Sequence, residues 1–238
     1  FDTTWETKGR ATKWALYALG ADVCLWAEDY EAAVTYCDAI LNARGVGAPA
    51  FLATATHSSW FSMFNPGNSN ESIFEIQYNY EENQTNNLPK LFDNEHADGI
   101  YRISRALTQM FNSEYSATLY EMKEAVRSMY GGYFVGPDAT IFESATVSYL
   151  GSQTLSDKRT ASYYDPNFII YRVADVMLMK AEALILRTHG ENIEDKVEAM
   201  KLINEIRTRS NLEIEVEATA EAVEPLDEEA MLQKVLYE

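Results

Sequence analysis

The 238-residue chain is predicted to be a mainly α protein, with tetratricopeptide-like helical hairpins packed against an irregular, loop-rich region that holds a few short strands. Apolar residues recur at helical spacing over about 9–44 and again over about 168–210. The stretch between them, about 48–165, lacks sustained helical periodicity and is rich in Asn, Asp, Tyr and Gly. Because 47% of the residues are hydrophobic, the chain can bury a core, and we expect one domain over 1–238.

The first hairpin is predicted from two successive helical patterns separated by a turn of about three residues. The first helix, over 10–27, has its apolar face at Trp14, Tyr17, Ala18, Ala21 and Leu25. The second has Tyr30, Ala33, Val34, Cys37 and Leu41 at the same spacing. It is expected to end at Gly45 and Gly47, before Pro49. Such a hairpin of roughly 34 residues has the tetratricopeptide size. Cys24 and Cys37 are interpreted as small core residues, and the alternative of a bond between them stays open because antiparallel helices could bring the two thiols close.

One strand stands out in the middle region, over residues 72–80. Phe74, Ile76, Tyr78 and Tyr80 alternate there with polar residues, which is the period of a strand. A short helical stretch near 114–129 interrupts a region of 81–160 otherwise expected to be loops and short strands.

The second hairpin is predicted from residue 168 onward. Its first helix has an apolar stripe at Tyr171, Ala174, Met177, Leu178, Ala181, Leu184 and Ile185. Arg172 and Asp175, three residues apart, are expected to pair, and Gly190 to end the helix. A fourth helix follows, with Ala199, Leu202, Ile203 and Ile206 on its apolar face. An acidic connector over 213–228 and a last helix from Asp227 complete the chain, which we expect to be a piece of a longer protein because it stops within that helix.

The net charge of −18 argues against several classes of partner. A protein that binds the phosphates of nucleic acid, or docks on an anionic membrane by charge, needs a basic face. No run of residues approaches the ~18 apolar residues of a spanning helix, and no signal peptide is visible at the start of the chain.

Catalytic and metal-binding patterns are not found in the sequence. The three histidines, His57, His96 and His189, lie far apart and are expected at the surface. The stretch from Asn94 resembles the start of an EF-hand loop, but its twelfth position is Arg105 where a bidentate Glu is needed. We therefore predict no metal site, no cofactor and no catalytic residues.

Four segments together resemble the SusD/RagB family of surface glycan-binding lipoproteins of Bacteroidetes. They occur in the expected order and bracket nearly the whole chain. They are Arg10–Leu19 running into Asp29–Ala33, Trp60 and Phe64 followed by Asn68–Ile76, Phe168–Ala183, and Glu198–Arg209.

The resemblance implies a function and a location. Members capture an oligosaccharide or another nutrient during polysaccharide utilisation and pass it to a SusC-type TonB-dependent transporter. They are not enzymes, and they sit lipid-anchored on the cell outer membrane. The resemblance implies that the full-length protein contacts the membrane only through a lipid on an N-terminal Cys. That Cys is missing from this chain.

Candidate ligand-binding residues come from the chemistry of sugars, because the family's motifs supply helix contacts rather than sugar contacts. A sugar ring needs an aromatic face for stacking and nearby amides, carboxylates or guanidinium groups for its hydroxyls. Three clusters offer that mixture: Tyr78, Tyr80, Asn83 and Gln84; Tyr101 with Arg102; and Tyr130, Tyr133 and Phe134 beside paired glycines. Trp60 and Phe64 are assigned to packing, and a neutral or basic glycan suits the acidic surface best.

Two alternatives stay open at the level of sequence. The helical hairpins are also typical of tetratricopeptide scaffolds that bind other proteins. With 37 acidic residues, some pair of carboxylates will stand at the separation that a glycoside hydrolase needs.

Overall fold

A computed structural model describes residues 8–53, 63, 67–87, 167–210 and 212–238. These residues form helices and two short strands, in the order α1 (Lys13–Trp26), α2 (Tyr30–Leu41), β1 (Ser72–Ile76), β2 (Phe168–Arg172), α3 (Val173–Leu186), α4 (Ile193–Arg209), α5 (Ala220–Val223) and α6 (Glu228–Leu236). Several of the residues discussed above lie outside the described residues: His57, His96, Trp60, Phe64 and the helical stretch expected near 114–129.

Helices α1 and α2 form the predicted hairpin. The Thr12 side chain accepts a hydrogen bond from the Ala15 amide and caps α1, and Asp29 caps α2 in the same way at Ala32. Ala18, Ala21 and Ala33 are fully buried, and their small size lets the packed backbones approach closely. Both cysteines are free thiols, with Cys37 buried in the core and Cys24 half-buried.

Helix α2 ends at Leu41, with Asn42 as its C-cap, a few residues before the predicted stop at Gly45 and Gly47. Gly45 and Gly47 have φ angles of 104° and 78°. Only glycine adopts such values at little cost, so the chain turns away from the helix axis there.

The second hairpin begins five residues later than the sequence predicted. Residues 168–172 form strand β2, and the helix starts at Val173, because this β-branched and aromatic segment pairs with β1 instead. The Arg172 amide donates to the Asp175 carboxylate at 2.8 Å, and their side chains are 3.6 Å apart, which confirms the predicted pair. Helix α4 follows, with Asn192 as its N-cap.

The helices pack in chain order around a core of two clusters. Helix α2 packs on α3, α3 packs on α4, and α6 covers α3 and α4. Ile40, Ile73 and Met177 are buried in the cluster near the strands, and Leu184 and Met231 in the cluster near α6. Lys180 of α3 links three helices, because its ammonium group contacts Asp38 of α2 and Glu198 of α4.

Strands β1 and β2 pair antiparallel, with Ser72 opposite Arg172 and Ile76 opposite Phe168. The predicted strand was too long, because β1 ends at Ile76 and a 3-10 turn occupies Tyr80–Glu82. The alternation also does not bury the apolar face throughout: Glu75 is fully buried and Ile76 is 44% exposed. Two register shifts within β1 and a set of polar partners for Glu75 account for this inversion.

The acidic connector is only partly solvated. It contains the short helix α5, whose Val223 is fully buried. Within the described ranges, no helix has the length and apolar composition needed to cross a bilayer.

Candidate ligand-binding site

A polar segment, residues 77–87, follows β1 and contains four of the residues predicted to bind a ligand. Tyr78 is half-buried and Asn86 is buried. Eight of its side chains are exposed: Gln77, Asn79, Glu81, Glu82, Asn83, Gln84, Thr85 and Asn87. The segment therefore presents amides and carboxylates to solvent beside a partly exposed aromatic ring.

Asn79 shapes the polar segment. Its side-chain oxygen accepts a hydrogen bond from the Glu81 amide at 2.9 Å. Its backbone carbonyl accepts from the amides of Glu82 and Gln84, at 3.2 and 2.9 Å. This Asx turn closes the 3-10 turn and ends the extended conformation after Tyr78. Asn83 then takes a φ of 58°, a left-handed conformation that asparagine tolerates better than most residues.

Glu75 and Asn167 anchor the base of the polar segment. The buried Glu75 carboxylate accepts hydrogen bonds from the Asn68 amide at 3.0 Å and from the Asn167 side-chain amide at 2.7 Å. The Asn167 side-chain oxygen accepts from the Tyr78 amide at 3.2 Å. One asparagine next to β2 thus holds both the buried Glu75 carboxylate and the backbone of Tyr78, the first aromatic residue of the polar segment.

Gly67 leaves room for this network. Its φ is 87°, and a Cβ atom there would lie 2.7 Å from the Asn167 amide nitrogen and 3.0 Å from a Glu75 oxygen. A larger residue at position 67 would both strain the backbone and displace the anchor.

Lys8 closes the other side of β1. Its ammonium group donates to the Ser72 carbonyl, and its own carbonyl accepts from the Glu75 amide at 3.0 Å. Burial lowers the pKa of Lys8 to about 8, and the nearby Glu75 carboxylate opposes that shift.

A second buried acid, Glu71, joins β1 to the helices. Its carboxylate accepts from the Arg209 guanidinium at 2.7 and 3.0 Å and from the Leu52 amide at 3.0 Å. Its carbonyl accepts from the amide of Val173, the first residue of α3. The Arg209 guanidinium also stacks over the Phe51 ring, 4.5 Å from its centre. The strand that precedes the polar segment is therefore fixed to both α3 and α4.

The chemistry of the polar segment suits neutral, hydroxyl-rich ligands. It carries Glu81 and Glu82 but no Lys or Arg, so it offers no electrostatic attraction for an anion. Its amides supply donors and acceptors and its carboxylates supply acceptors, as sugar hydroxyls require. Among the described residues, no group of His, Cys, Asp and Glu has the arrangement to hold a metal ion.

The structure brings together only part of the predicted site. Asn83 and Gln84 are exposed in one turn, Tyr78 lies at its start, and the backbone of Tyr80 begins the 3-10 turn. The other predicted residues lie outside the described residues and stay predictions: Tyr101, Arg102, Tyr130, Tyr133 and Phe134.

Sequence reasoning missed the residues that position the segment. Asn79 carried a usable signal, since an asparagine two residues before an acid in a polar stretch favours an Asx turn. Asn167 carried none, because it lies 89 residues from Tyr78 along the chain.

This chain is similar in sequence pattern and in structure to proteins of one family. The sequence pattern of the SusD family matches residues 102–238, more than half of the chain. Similar solved structures include a SusD superfamily protein from Parabacteroides distasonis, with 19% identity over 99% of this chain and 49% of that one and a TM-score of 0.61. A SusD-like carbohydrate binding protein from Bacteroides vulgatus has 17% identity over 97% and 42%, with a TM-score of 0.62. Surface glycan-binding protein A from Bacteroides uniformis has 20% identity over 94% and 47%, with a TM-score of 0.52.

These similarities confirm the predicted fold, mainly helical with tetratricopeptide-like hairpins. The chain spans about half of the length of the solved proteins it matches. No curated protein sequence matches it.

Proposed function

The chain belongs to the SusD family, and we propose that it is a non-catalytic binding protein for a neutral oligosaccharide. The observation that carries the proposal is the exposed polar segment, residues 77–87, held on β1 by the buried Glu75–Asn167 contact. A rigid base lowers the entropy that a flexible loop would lose when it binds a ligand.

The similar solved structures support this ligand class. Two of them are a carbohydrate binding protein and a surface glycan-binding protein, and another is a laminarin-binding SusD-like protein. We propose that the same class of ligand contacts Tyr78, Asn83 and Gln84 here, together with Tyr80 and the predicted aromatic clusters at Tyr101 and Tyr130–Phe134.

The transporter and the location form the second part of the proposal. Family membership supports a lipid-anchored protein on the outer-membrane surface that passes its ligand to a SusC-type TonB-dependent transporter. Co-expression of the full-length protein with such a transporter, followed by co-purification from the outer membrane, tests this part separately. Recovery of the transporter with the protein supports the pairing, and recovery of the protein alone contradicts it.

A glycan array followed by calorimetry on the purified chain tests the ligand class. We expect saturable binding of a neutral oligosaccharide, with no change in the chain length of the glycan after long incubation. Release of shorter products, abolished by a single Glu→Gln change, would instead support the hydrolase alternative. Failure to bind any glycan, together with capture of a peptide ligand, would support the tetratricopeptide scaffold.

A matched pair of variants locates the site. Gln84→Ala removes an exposed amide of the polar segment and is expected to weaken binding by about tenfold, as loss of one or two sugar hydrogen bonds would. Gln233→Ala removes an exposed amide on α6 and should leave binding unchanged. Equal affinities for the two variants would contradict a site on the polar segment.

A further inference from the structure

Helix α1 has an unusual outer face. A helix on the surface of a protein normally presents polar residues to water. In α1 every exposed side chain is apolar: Leu16 is 53% exposed, Leu19 48%, Val23 56% and Trp26 87%. The opposite face, with Ala15, Ala18 and Ala21, is already buried against the rest of the protein. Helix α1 is thus apolar on two sides, and the residues that the structure describes cover one of them.

The charged residues of α1 do not make this face polar. Lys13 lies over the Trp14 ring, with its ammonium group 4.2 Å from the ring centre. Asp22 accepts a hydrogen bond from the Tyr171 hydroxyl at 2.6 Å, on the side of α1 that meets β2. The exposed stripe between these two residues therefore has no charge of its own.

The spacing of the stripe indicates what kind of surface fits it. Leu16, Leu19, Val23 and Trp26 follow one another at intervals of three, four and three residues. That is the a/d pattern of a coiled-coil seam, which packs against another helix with the same pattern. The seam is about 15 Å long at 1.5 Å per residue. The Tyr36 ring, which is 37% exposed and packs over Gly20, widens it on the side of α2.

The charges at the two ends of α1 favour one particular partner. Arg10 and Lys13 stand at its start, and Glu28 and Asp29 stand just beyond its end. An identical helix that runs antiparallel, centred between Leu19 and Val23, brings each basic start opposite the acidic end of its partner. Lys13 lies eight residues, or about 12 Å, to one side of that centre, and Glu28 lies two residues past Trp26, the last helical residue on the other side. Antiparallel helix dipoles also attract each other, and a two-fold axis lets one surface serve both subunits.

We propose that the seam, residues Leu16, Leu19, Val23 and Trp26, is the interface of a two-fold symmetric dimer of this chain. This dimer proposal is independent of the proposal that the chain binds a carbohydrate. The net charge of −18 on each copy opposes association at long range. At about 0.15 M salt the screening length is roughly 8 Å, so salt largely screens that repulsion over the distance between two subunits.

Sedimentation velocity of the full chain over a concentration series up to about 0.5 mM tests the proposal, since a small seam predicts a dissociation constant in the micromolar range or weaker. We expect a monomer–dimer equilibrium. Leu19→Glu should weaken it by at least about tenfold, because it places a charge at the centre of the seam. The matched control is Leu236→Glu, at a leucine that is 82% exposed on α6, and it should leave the equilibrium unchanged.

Two further variants keep the test decisive. Trp26→Ser alters a side chain that is 87% exposed at the end of α1, so it leaves the fold intact and should also weaken the dimer. Lys13→Glu should weaken it, and Lys13→Glu combined with Glu28→Lys should restore it, which only the antiparallel arrangement predicts. A monomer at every concentration, or a dimer that Leu19→Glu and Trp26→Ser leave unchanged, would overturn the proposal.

Discussion

Two regions of the molecule are held together by different means. On the helical side, α1 packs on α2 and α3 packs on α4 through small and apolar side chains such as Ala18 and Ala33, so that each hairpin joins two helices close together in the chain. On the strand side, buried polar groups far apart in sequence hold β1 in place: Glu75 with Asn167, and Glu71 with Arg209. The difference shows that the frame is built by local periodicity, whereas the candidate binding surface depends on a few long-range polar contacts.

Arg209→Ala should cause the largest loss of stability and tests the strand side of the comparison. The side chains of Arg209 and Glu71 are only 3% and 0% exposed, so removal of the arginine leaves a buried acid without its charged partner. We expect the free energy of unfolding to fall by about 3–5 kcal/mol in urea denaturation.

A surface ion pair provides the control for that experiment. Lys234 contacts Glu215 where the two side chains are 31% and 53% exposed, and Lys234→Ala should cost at most about 1 kcal/mol. The double change Glu71→Gln with Arg209→Met should recover part of the loss, since it removes both buried charges. If Arg209→Ala costs no more than Lys234→Ala, the buried pair does not hold the strand side.

The helical side could be predicted from the sequence, whereas the strand side could be predicted only in part. The two hairpins were predicted because Ala18, Ala33 and Ala199 belong to repeats of three and four residues, which depend only on neighbours in the chain. The sequence predicts the start of α3 too early, at residue 168, because Ile169 pairs with Glu75, a strand partner 94 residues away that local periodicity does not reveal.

The candidate site shows that limit most clearly. The alternation of Phe74 and Ile76 with polar residues predicted a strand, but not that Glu75 would be the buried member. Burial of that acid depends on donors from Asn68 and Asn167, and the second of these has no sequence signal. The composition of the polar segment was sufficient to propose it as a ligand site, while its anchoring became visible only in the structure.

Ala21→Leu tests the helical side. Ala21 of α1 is fully buried in the core cluster that also contains Cys37 and Ile40 of α2, so added methyl groups must displace the packed neighbours. We expect a loss of about 2–3 kcal/mol in the free energy of unfolding. Ala39→Leu makes the same change at an exposed position of α2 and should be nearly neutral. Equal effects at the two positions would show that the close helix contact is not needed.

Asn167→Ala tests whether the polar segment depends on its anchor. The change leaves the Glu75 carboxylate without one donor and the Tyr78 amide without its acceptor, which should cost about 1–2 kcal/mol. Because the segment loses its fixed base, oligosaccharide affinity should fall as well, while far-ultraviolet circular dichroism stays unchanged. If the Asn167→Ala variant is less stable but binds the oligosaccharide with unaltered affinity, ligand binding does not depend on the Glu75–Asn167 contact.

The smallest effects concern pH, where the two regions should respond with opposite sign. Lys8 has a folded pKa of about 8 against an ordinary 10.5, so between these values the unfolded chain holds the extra proton and stability rises with pH. Burial, assisted by Asp38, raises the pKa of Cys37 to about 12 from 9.0, so stability falls as pH rises above 9. Each slope is at most about 1.4 kcal/mol per pH unit, and the two partly cancel above pH 9.

Single variants separate these two slopes. Lys8→Met should remove the rise that begins near pH 8, and Cys37→Ala should remove the decline that begins near pH 9, in urea unfolding measured from pH 7.5 to 10.5. Variants that keep the pH dependence of the parent chain would show that neither group titrates as its surroundings indicate.

Amide hydrogen exchange, with and without a bound neutral oligosaccharide, tests the central claim most directly. We expect the ligand to slow exchange within residues 77–87, where the amides of Glu81, Glu82 and Gln84 close the Asn79 turn, and to leave α4 and α6 unchanged. Slower exchange confined to α4 and α6, with residues 77–87 unaffected by a saturating ligand, would contradict a binding surface built on the polar segment.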